Sequence, residues 1–393
     1  MRILFLAQVL PLPLDAGPKI RAYYVLRHLA EAGHQVTLVS FVRPGDRADH
    51  LESLARLCHE VVPVPLTRSR VKDIGFGLRA MALGRPFLIE RDRLPAMDAR
   101  LRALASGGSF DAVHADQLWM APFAARCSDI PVKVLDQHNA VFRVPQRLAA
   151  GHRNPLTRAL LGSEAGKLER FERDIMREFG HVVWVSAEDR DAFPSIAAEP
   201  WAQTVIPIAV DPAERAPVAR PRPFRVTFLG GLHWPPNAEG VRWFLDEVWP
   251  LVAAAVPDAV FTVIGKGSLG RLGRVDLSRV EITGYVDDPT PYLEETAAFV
   301  VPLHTGAGMR VKILDAWCWA MPVVSTTVGA EGIRTTDGDT ILLADDADAF
   351  AVRVIRVLRE PALARRLAEN GRAAAESLYD WRTTYSAWDA VYH

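Results

Sequence analysis

The feature that most constrains the fold is an alternation of short β-branched apolar runs with helical segments, which occurs twice along the 393-residue chain. In the first series, residues 20–32 and 166–179 carry apolar side chains at three-to-four spacing, which predicts helices. The apolar runs between and around them predict strands at residues 3–7, 35–41, 61–64, 112–115, 132–135, 182–185 and 205–206. Alternation of this kind predicts a parallel sheet with helices on both faces.

A second series follows a proline-rich segment. Residues 206–224 read IPIAVDPAERAPVARPRPF, with five prolines, which predicts a linker over 207–223. Strands are then predicted at 224–229, 260–264, 280–283, 299–301, 323–325 and 341–343, and helices at 238–255, 310–320, 347–359 and 361–377. We therefore expect two doubly wound, Rossmann-like α/β domains, 1–206 and 224–378, that face each other across a ligand-binding cleft.

The C-terminal segment, residues 379–393, carries aromatic side chains at helical spacing. Large rings bury much apolar area, so a helix with such a stripe does not stay exposed. We predict that this segment forms a helix that crosses back to the first domain, and the alternative is that it covers the second domain's own sheet. The aromatic residues are Trp381, Tyr385, Trp388 and Tyr392.

Bulk composition excludes several classes of protein. The net charge of −1 gives no indication of a nucleic-acid partner. Cys58, Cys127 and Cys318 are scattered and odd in number, which argues against a disulfide framework and against a zinc site. This cysteine usage is typical of a reducing compartment, so we expect a cytoplasmic protein. No run reaches the length of a membrane span.

The segment with the clearest chemical signal is LHTGAGMRVKILDAWCWAMPVVSTTVG, residues 303–329. Its glycines permit close approach of a ligand to the backbone, and a helix predicted to begin near Met309 offers free N–H groups to an anion. Arg310 and Lys312 place cations at the same helix end, where they oppose the helix dipole. A bound diphosphate removes that conflict. The alternative is that both are solvated surface charges and that Asp315, three residues beyond Lys312, pairs with one of them.

The order and spacing of several motifs resemble glycosyltransferase family 4, the retaining enzymes of the GT-B fold, in a subgroup with a G-x-G-x-R-x-K donor motif. The resemblance spans nearly the whole chain. It is carried by residues 2–7 with Asp15-Ala16-Gly17, VLDQHN at 134–139, VWVSAED at 183–189, FLGGLHWPPN at 228–237, Gly284-Tyr285-Val286, and residues 306–325.

The resemblance implies which residues bind the donor, a nucleotide diphosphate sugar of the UDP or GDP type. His138 would contact donor-sugar hydroxyls, and Arg310 and Lys312 would stabilise the leaving diphosphate. Apart from the resemblance, Asp136 and Asn139 beside His138, and His114 at the end of another strand, are further candidates. Asp315 would bind the ribose. A glutamate of the broad family is replaced by Ala307, so backbone amides of residues 307–309 would take its place. The remaining implied donor contacts are Gly17, Gly230, Gly231, Tyr285, Val286, Gly306, Ala307, Gly308 and Met309.

Other interpretations stay open for single residues. His138 and His114 also fit structural roles, as a hydrogen-bonded histidine and as a local cap. The residues show no metal-ligand cluster, and the resemblance implies a reaction without a metal or cofactor.

The function also has alternatives: a non-catalytic nucleotide-sugar-binding protein, or another GT-B enzyme such as a nucleotide-sugar epimerase or a phosphorylase. The acceptor is a hydroxyl of unknown identity. Basic, apolar stretches at 68–85 and 143–158, the latter with Arg147, His152 and Arg153, are compatible with peripheral contact with the inner face of a membrane. The more ordinary alternative is a solvated helix face.

Overall fold

The computed structural model divides into two compact units. Unit 1 comprises Met1–Ala209, Ala307–Met309 and Trp381–His393, and unit 2 comprises Val210–Gly306 and Arg310–Asp380. The structure describes residues 1–67, 69–106, 108–152, 154–196, 199, 201–218, 224–267 and 277–392.

Unit 1 contains a seven-stranded parallel sheet with the order β3-β2-β1-β4-β5-β6-β7. Residues 3–7 of β1 are all buried, as expected for a strand with helices on both faces. The strand order reverses between β1 and β4, so the carboxyl ends of β1, β4 and β5 border the place where open α/β sheets bind ligands. The strands are β1 Arg2–Ala7, β2 Gln35–Val42, β3 Glu60–Pro65, β4 Ala112–Asp116, β5 Val132–Gln137, β6 His181–Trp184 and β7 Ala202–Val205.

The helices of unit 1 follow the predicted alternation. The longest, α8, buries Ala165, Leu168, Glu172 and Met176 along one face at three-to-four spacing. The helices are α1 Gly17–Glu31, α2 Ala48–Leu57, α3 Arg70–Ala82, α4 Phe87–Glu90, α5 Pro95–Ser106, α6 Ala121–Ala124, α7 Arg143–Gly151, α8 Pro155–Met176 and α9 Ala187–Arg190, with a 3₁₀ turn at Leu118–Met120.

Unit 2 contains a six-stranded parallel sheet with the order β10-β9-β8-β11-β12-β13, so its strand order reverses between β8 and β11. The strands are β8 Arg225–Leu229, β9 Val260–Ile264, β10 Val280–Gly284, β11 Ala298–Val301, β12 Val323–Ser325 and β13 Leu342–Leu343. The helices are α10 Pro235–Trp243, α11 Trp249–Ala255, α12 Thr290–Leu293, α13 Val311–Cys318, α14 Ala347–Arg359 and α15 Pro361–Leu378. Short 3₁₀ turns lie at Pro212–Glu214, Leu277–Arg279 and Val328–Ala330.

The helix expected over residues 238–255 is interrupted. A π-helical turn, Phe244–Val248, separates α10 from α11, and Pro250 stands at the start of α11. Proline lacks an N–H and displaces the carbonyl four residues earlier, so an unbroken α-helix does not pass through this point.

The C-terminal aromatic segment also differs from the predicted helix. It forms one α-helical turn, α16 Trp381–Thr384, and then a 3₁₀ segment, Tyr385–Ala390, that belongs to unit 1. Trp381 stacks on Tyr24 of α1, with 5.6 Å between ring centroids. A 3₁₀ helix places residues three apart on one face, so Tyr385 and Trp388 are both buried.

The segment expected as a linker is partly core. Residues 208–212 are buried, and the boundary between the two units falls at Ala209 and Val210. Val210 N donates to Tyr379 O, and Arg372 of α15 donates to the carbonyls of Pro212 and Arg215, so hydrogen bonds hold residues 210–215 in unit 2. Residues 219–223 of the expected linker lie outside the described residues.

Helix α3, which lies within the basic stretch at 68–85, has an exposed apolar face. Ile74, Leu78 and Met81 are more than half exposed at helical spacing. Arg68 and Arg153, which belong to the basic stretches noted above, lie outside the described residues. Within the part of the chain that the structure describes, no helix is long and apolar enough to cross a membrane.

Candidate functional site

Two neighbouring strands of unit 1 present polar side chains at their carboxyl ends. On β4 these are His114 and Asp116, and on β5 Asp136 is followed two residues later by His138. Side chains two apart in a strand lie on the same face, and Asp116 is the register partner of Asp136. The fold therefore places two buried carboxylates side by side, an arrangement that needs cations close by.

Arg21 of α1 supplies one of those cations. Its guanidinium binds Asp136 in a bidentate manner at 2.7–2.9 Å, and both side chains are fully buried. Nη1 also donates to the carbonyls of Ile206 and Pro207 at 2.8 and 3.0 Å. Burial raises the pKa of Asp136, but Arg21 and His138 outweigh it and hold that pKa well below the usual range.

His138 is the second cation. Its Nε2 lies 2.9 Å from Asp116 Oδ1 and 3.4 Å from Asp136 Oδ2, and the residue is 8% exposed. Burial opposes the charged form, but the two carboxylates together raise the pKa of His138 to about 9. The side chain is thus an imidazolium at neutral pH, and it is buried.

His114 takes a different role from the local cap considered for it. Its ring is fully buried, stacks on Phe5 and has Nδ1 2.5 Å from the hydroxyl of Tyr392. Burial lowers the pKa of His114 to about 4, against Asp136 and Asp116, which raise it. Atoms of His114, Asp116 and Asp136 lie within 4.8 Å of one another, a spacing that suits a metal ion, but both carboxylates already face Arg21 or His138.

Residues 307–309 belong to unit 1 and lie against the histidine segment. Gly308 has φ +77°, and a Cβ placed there would stand 3.0 Å from His138 O and from Asn139 Cβ. The backbone of this loop therefore approaches His138 more closely than a larger residue allows. Met309 Sδ accepts a hydrogen bond from Ile208 N at 3.1 Å.

Unit 2 places two glycine loops beside its strand-order reversal. The first, Gly230-Gly231, follows β8, and its backbone is held by bonds from Gly230 N to Ile264 O and from Leu232 N to Lys266 O. A Cβ at Gly230 would stand 2.6 Å from Lys312 Nζ. The loop is thus shaped around that ammonium group.

Lys312 lies on the first turn of α13. Its Nζ donates to Asn237 Oδ1 at 2.9 Å and stands 4.3 Å from the ring centre of Phe228. Burial and the neighbouring Arg310 lower the pKa of Lys312 to about 7, although Asp315 raises it. The contacts of Nζ are a neutral amide and an aromatic face, which leave its charge available to an anion.

Arg310 precedes α13 as its N-cap residue and is only 8% exposed, so it is not the solvated surface charge that the sequence left open. Its guanidinium packs over Gly306, which has φ +122° and where a Cβ would stand 2.8 Å from Nη2. The helix begins at Val311, two residues later than expected. Arg310 and Lys312 therefore lie at the same helix end, beside the second glycine loop.

Of the other expected donor residues, Asp315 lies within α13, and Tyr285, Val286 and Gly17 lie at strand or helix ends. Asp315, on α13, is partly buried, and burial raises its pKa to about 6 against the effect of Arg215 and Lys312. Tyr285 follows β10 and is 56% exposed, with Val286 beside it partly buried. Gly17 is the first residue of α1.

Sequence reasoning missed Arg21 and Asp116 and gave Asp136 little weight. A signal for each was present. Arg21 stands among the inward-facing apolar residues of α1, and Asp116 and Asp136 lie near the ends of apolar strands, at even spacing from a histidine. A charged residue within a predicted core face indicates a buried partner of opposite charge.

Two family models match the chain, one for each unit. Residues 16–209 match the glycosyl transferase 4-like domain, and residues 223–360 match glycosyl transferases group 1.

Curated relatives match over nearly their whole length. An uncharacterized 44.6 kDa protein in the cps region of Klebsiella pneumoniae is 22% identical, with 98% of each chain covered. A glycogen synthase of Mycobacterium tuberculosis is 26% identical, with 100% of this chain and 94% of the relative covered.

Solved structures of low identity share the fold. Sucrose-phosphate synthase from Thermosynechococcus elongatus gives a TM-score of 0.70 at 19% identity, covering 100% of this chain and 98% of the other. Anabaena HepE in complex with UDP-glucose gives 0.68 at 15% identity, covering 99% and 98%. The expected fold class, two Rossmann-like doubly wound α/β domains of the GT-B type, is confirmed.

Proposed function

The chain is a glycosyltransferase with a glycosyl transferase 4-like domain and a glycosyl transferases group 1 domain, and on this premise we propose that it transfers a sugar with retention of anomeric configuration and without a metal ion. The donor is a nucleotide diphosphate sugar, and the acceptor is a hydroxyl of a glycan or glycoconjugate. The expectation that no cofactor takes part belongs to the same proposal.

The observation that carries the proposal is the pair of cations at the start of α13. Arg310 and Lys312 lie next to two glycine loops, at the strand-order reversal of unit 2, where α/β sheets bind phosphates. Lys312 Nζ has a neutral amide and a ring as contacts, so a diphosphate supplies the opposite charge that this partly buried ammonium needs.

The reaction follows from that charge. The bond between the anomeric carbon and the diphosphate oxygen breaks, and negative charge develops on the phosphate, where Arg310 and Lys312 stabilise it. The acceptor oxygen forms its bond to the same face of the anomeric carbon. Its proton passes to the departing phosphate oxygen, so the step needs neither a protein base nor a metal.

His138 is a further residue to which we assign a role in this step. We propose that its imidazolium, fixed by Asp116 and Asp136, donates a hydrogen bond to a donor-sugar hydroxyl near the reacting carbon. A fixed donor of this kind costs no reorganisation at the moment of reaction. Asn139 and the backbone of residues 307–309 lie next to it and are the further proposed donor contacts.

The remaining proposed contacts divide by chemistry. Asp315 accepts from the ribose, and Tyr285 and Val286 border the base. Gly17, Gly230, Gly231 and Gly306 allow the backbone to approach the phosphates. UDP and GDP sugars are both candidates, and UDP-glucose is the first to test, since a structural neighbour of low identity binds it.

The experiment is a thermal-shift panel of nucleoside diphosphates and nucleotide sugars, followed by turnover with and without a hydroxyl acceptor. A ligand that binds the native state raises the melting temperature by mass action. Acceptor-dependent release of nucleoside diphosphate, with a product of the donor's anomeric configuration by NMR, supports the proposal. Turnover that is independent of acceptor, an inverted product, or binding without turnover contradicts it.

A further inference from the structure

We propose that Glu172 of α8 and Asp189 of α9 are positioning residues for His138, which they act on by holding the turn that follows it. This histidine turn comprises residues 138–142, between β5 and α7. Neither carboxyl group belongs to the donor contacts described above. The inference rests on the role proposed for His138 in transfer, and it adds the device that fixes His138 in place.

Glu172 binds the turn from the buried face of α8. Its Oε1 accepts from Phe142 N at 2.8 Å, and its Oε2 accepts from Val141 N at 3.0 Å and from Gln137 Nε2 at 2.7 Å. Gln137 Nε2 also donates to Asn139 O at 2.9 Å. One fully buried carboxyl group thus satisfies two backbone donors of the turn and a side chain that holds a third residue.

Asp189 binds a third backbone donor of the turn. Its Oδ1 accepts from Ala140 N at 2.9 Å, and its Oδ2 accepts from the hydroxyl of Ser186 at 2.7 Å. Asp189 is itself 3% exposed, and the N-cap bond from its N–H to Ser186 Oγ, at 3.1 Å, fixes its own backbone. Residues 140, 141 and 142 therefore all donate to carboxyl oxygens from helices outside the turn.

The position of Glu172 in the sequence has no explanation in packing alone. It stands between Leu168 and Met176 on a face that is otherwise apolar. A buried carboxyl group is costly unless donors are aimed at it, and here both oxygens receive them. Burial raises the pKa of Glu172 to about 8, against the N–H groups of Phe142 and Val141, and both oxygens accept N–H bonds in either protonation state.

The position of the histidine turn fixes the ion pairs that His138 forms with Asp116 and Asp136. The imidazole faces Asp116 and His114 from β4 and Asp136 from β5, with Arg21 of α1 bound to Asp136. Its ring reaches those carboxylates only while the backbone that leaves β5 keeps its path. A shift of the turn lengthens the 2.9 Å contact with Asp116. The attraction between the two charges then falls, and the pKa of His138 falls with it.

The test measures the ionisation of His138 directly. In Glu172→Gln an NH₂ group replaces one acceptor oxygen, so at least one N–H donor of the turn or of Gln137 faces another donor. In Asp189→Asn an NH₂ group likewise replaces one of the two oxygens that accept from Ala140 N and from the Ser186 hydroxyl. NMR titration of histidine-labelled protein, with the His138 signals assigned by their loss in His138→Gln, gives the midpoint for each variant. Exposed neighbours on the same elements, Glu169→Gln and Glu188→Gln, are the matched controls.

We expect the His138 midpoint to fall by one pH unit or more in both test variants and to stay at the wild-type value in both controls. An unchanged midpoint in either test variant that is folded by circular dichroism overturns the proposal. If Glu172→Gln does not fold, Asp189→Asn alone decides it.

The titration needs no turnover, so it is independent of the proposed function. A lowered midpoint with undiminished transfer supports the positioning role and refutes the role of His138 in transfer. A lowered midpoint with a lower kcat at alkaline pH supports both.

Discussion

At the scale of single residues, we expect the protonation state of Lys312 to change when a diphosphate binds. Burial and Arg310 bring its pKa to about 7, so much of it is neutral in the free protein above that pH. A bound diphosphate favours the charged form, so binding takes up a proton there.

We therefore expect affinity for a nucleoside diphosphate to weaken as pH rises above about 7, by up to about tenfold per pH unit, because one proton is linked to binding. Calorimetric titration with UDP and GDP between pH 6 and 9 measures this. Lys312→Met is expected to bind more weakly at pH 6 and to lose this part of the dependence. An identical pH dependence in Lys312→Met refutes the assignment to Lys312.

The roles proposed for Arg310 and Lys312 also predict the effect of truncating either side chain to alanine. Arg310→Ala or Lys312→Ala is expected to cut transfer by about a hundredfold, since each removes a cation that stabilises the leaving group. Arg365→Ala, which removes an exposed cation on α15, is the control and is expected to transfer normally. Full activity in both test variants, with melting temperatures near wild type, rules out this diphosphate site.

At the scale of elements, two helical glycines differ in whether the surrounding structure leaves room for a Cβ atom. Gly240 lets α10 pack on the end of β11, because a Cβ there would stand 2.4 Å from the backbone oxygen of Pro302. Gly162 on α8 has no atom within 4 Å of its would-be Cβ. The first glycine is required by packing, whereas the second only lowers helix propensity.

Gly240→Ala is therefore expected to lower the free energy of unfolding by about 1–3 kcal/mol through overpacking against a backbone atom that has little room to move. Gly162→Ala is expected to raise it by up to about 1 kcal/mol, since alanine is the better helix former. Denaturant unfolding of both variants measures the difference. Equal effects of the two substitutions contradict the packing argument.

At the scale of the whole molecule, the C-terminal segment contributes to unit 1, which otherwise consists almost entirely of the first 209 residues. Trp388 is fully buried, with the guanidinium carbon of Arg21 5.3 Å from its ring centre, and Tyr392 reaches His114. The last residues of the chain thus pack against Arg21 and His114, which lie beside the carboxylates that bind His138.

Trp388→Ala is expected to lower the free energy of unfolding of unit 1 by about 3–5 kcal/mol, the usual cost of truncating a buried tryptophan. Removal of residues 380–393 is expected to do more damage to the same unit. Ala387→Ser, at an exposed position beside it, is the control. Hydrogen exchange resolved by peptide locates the loss, and destabilisation confined to residues 224–378 would refute this account.

The proposed chemistry makes one prediction for the whole enzyme. Transfer is expected to persist in excess chelator, because Arg310 and Lys312 supply the positive charge that a divalent ion supplies in metal-dependent enzymes. Loss of activity in chelator, restored by Mg²⁺ or Mn²⁺, contradicts the metal-free step.

The secondary-structure elements and the class of fold follow from patterns in the sequence. Strand and helix periodicity depends on neighbours along the chain, so the strands of both sheets were predicted within a few residues of their observed ends. The glycine loop with Arg310 and Lys312 was equally visible, because a loop, a helix start and two cations lie within one short segment. Local pattern also identified the aromatic C-terminal segment, although it did not show the break into a 3₁₀ helix.

Which distant charges lie close together depends on the packing of the fold. Arg21, Asp116, Asp136, Glu172 and Asp189 come from five different elements, and sequence spacing does not encode their separations in space. Their pKa values and the ionisation of His138 depend on burial and on Coulomb energies, which become large only when packing excludes water. The sequence therefore supplies a histidine after a strand, and the fold makes it a buried imidazolium.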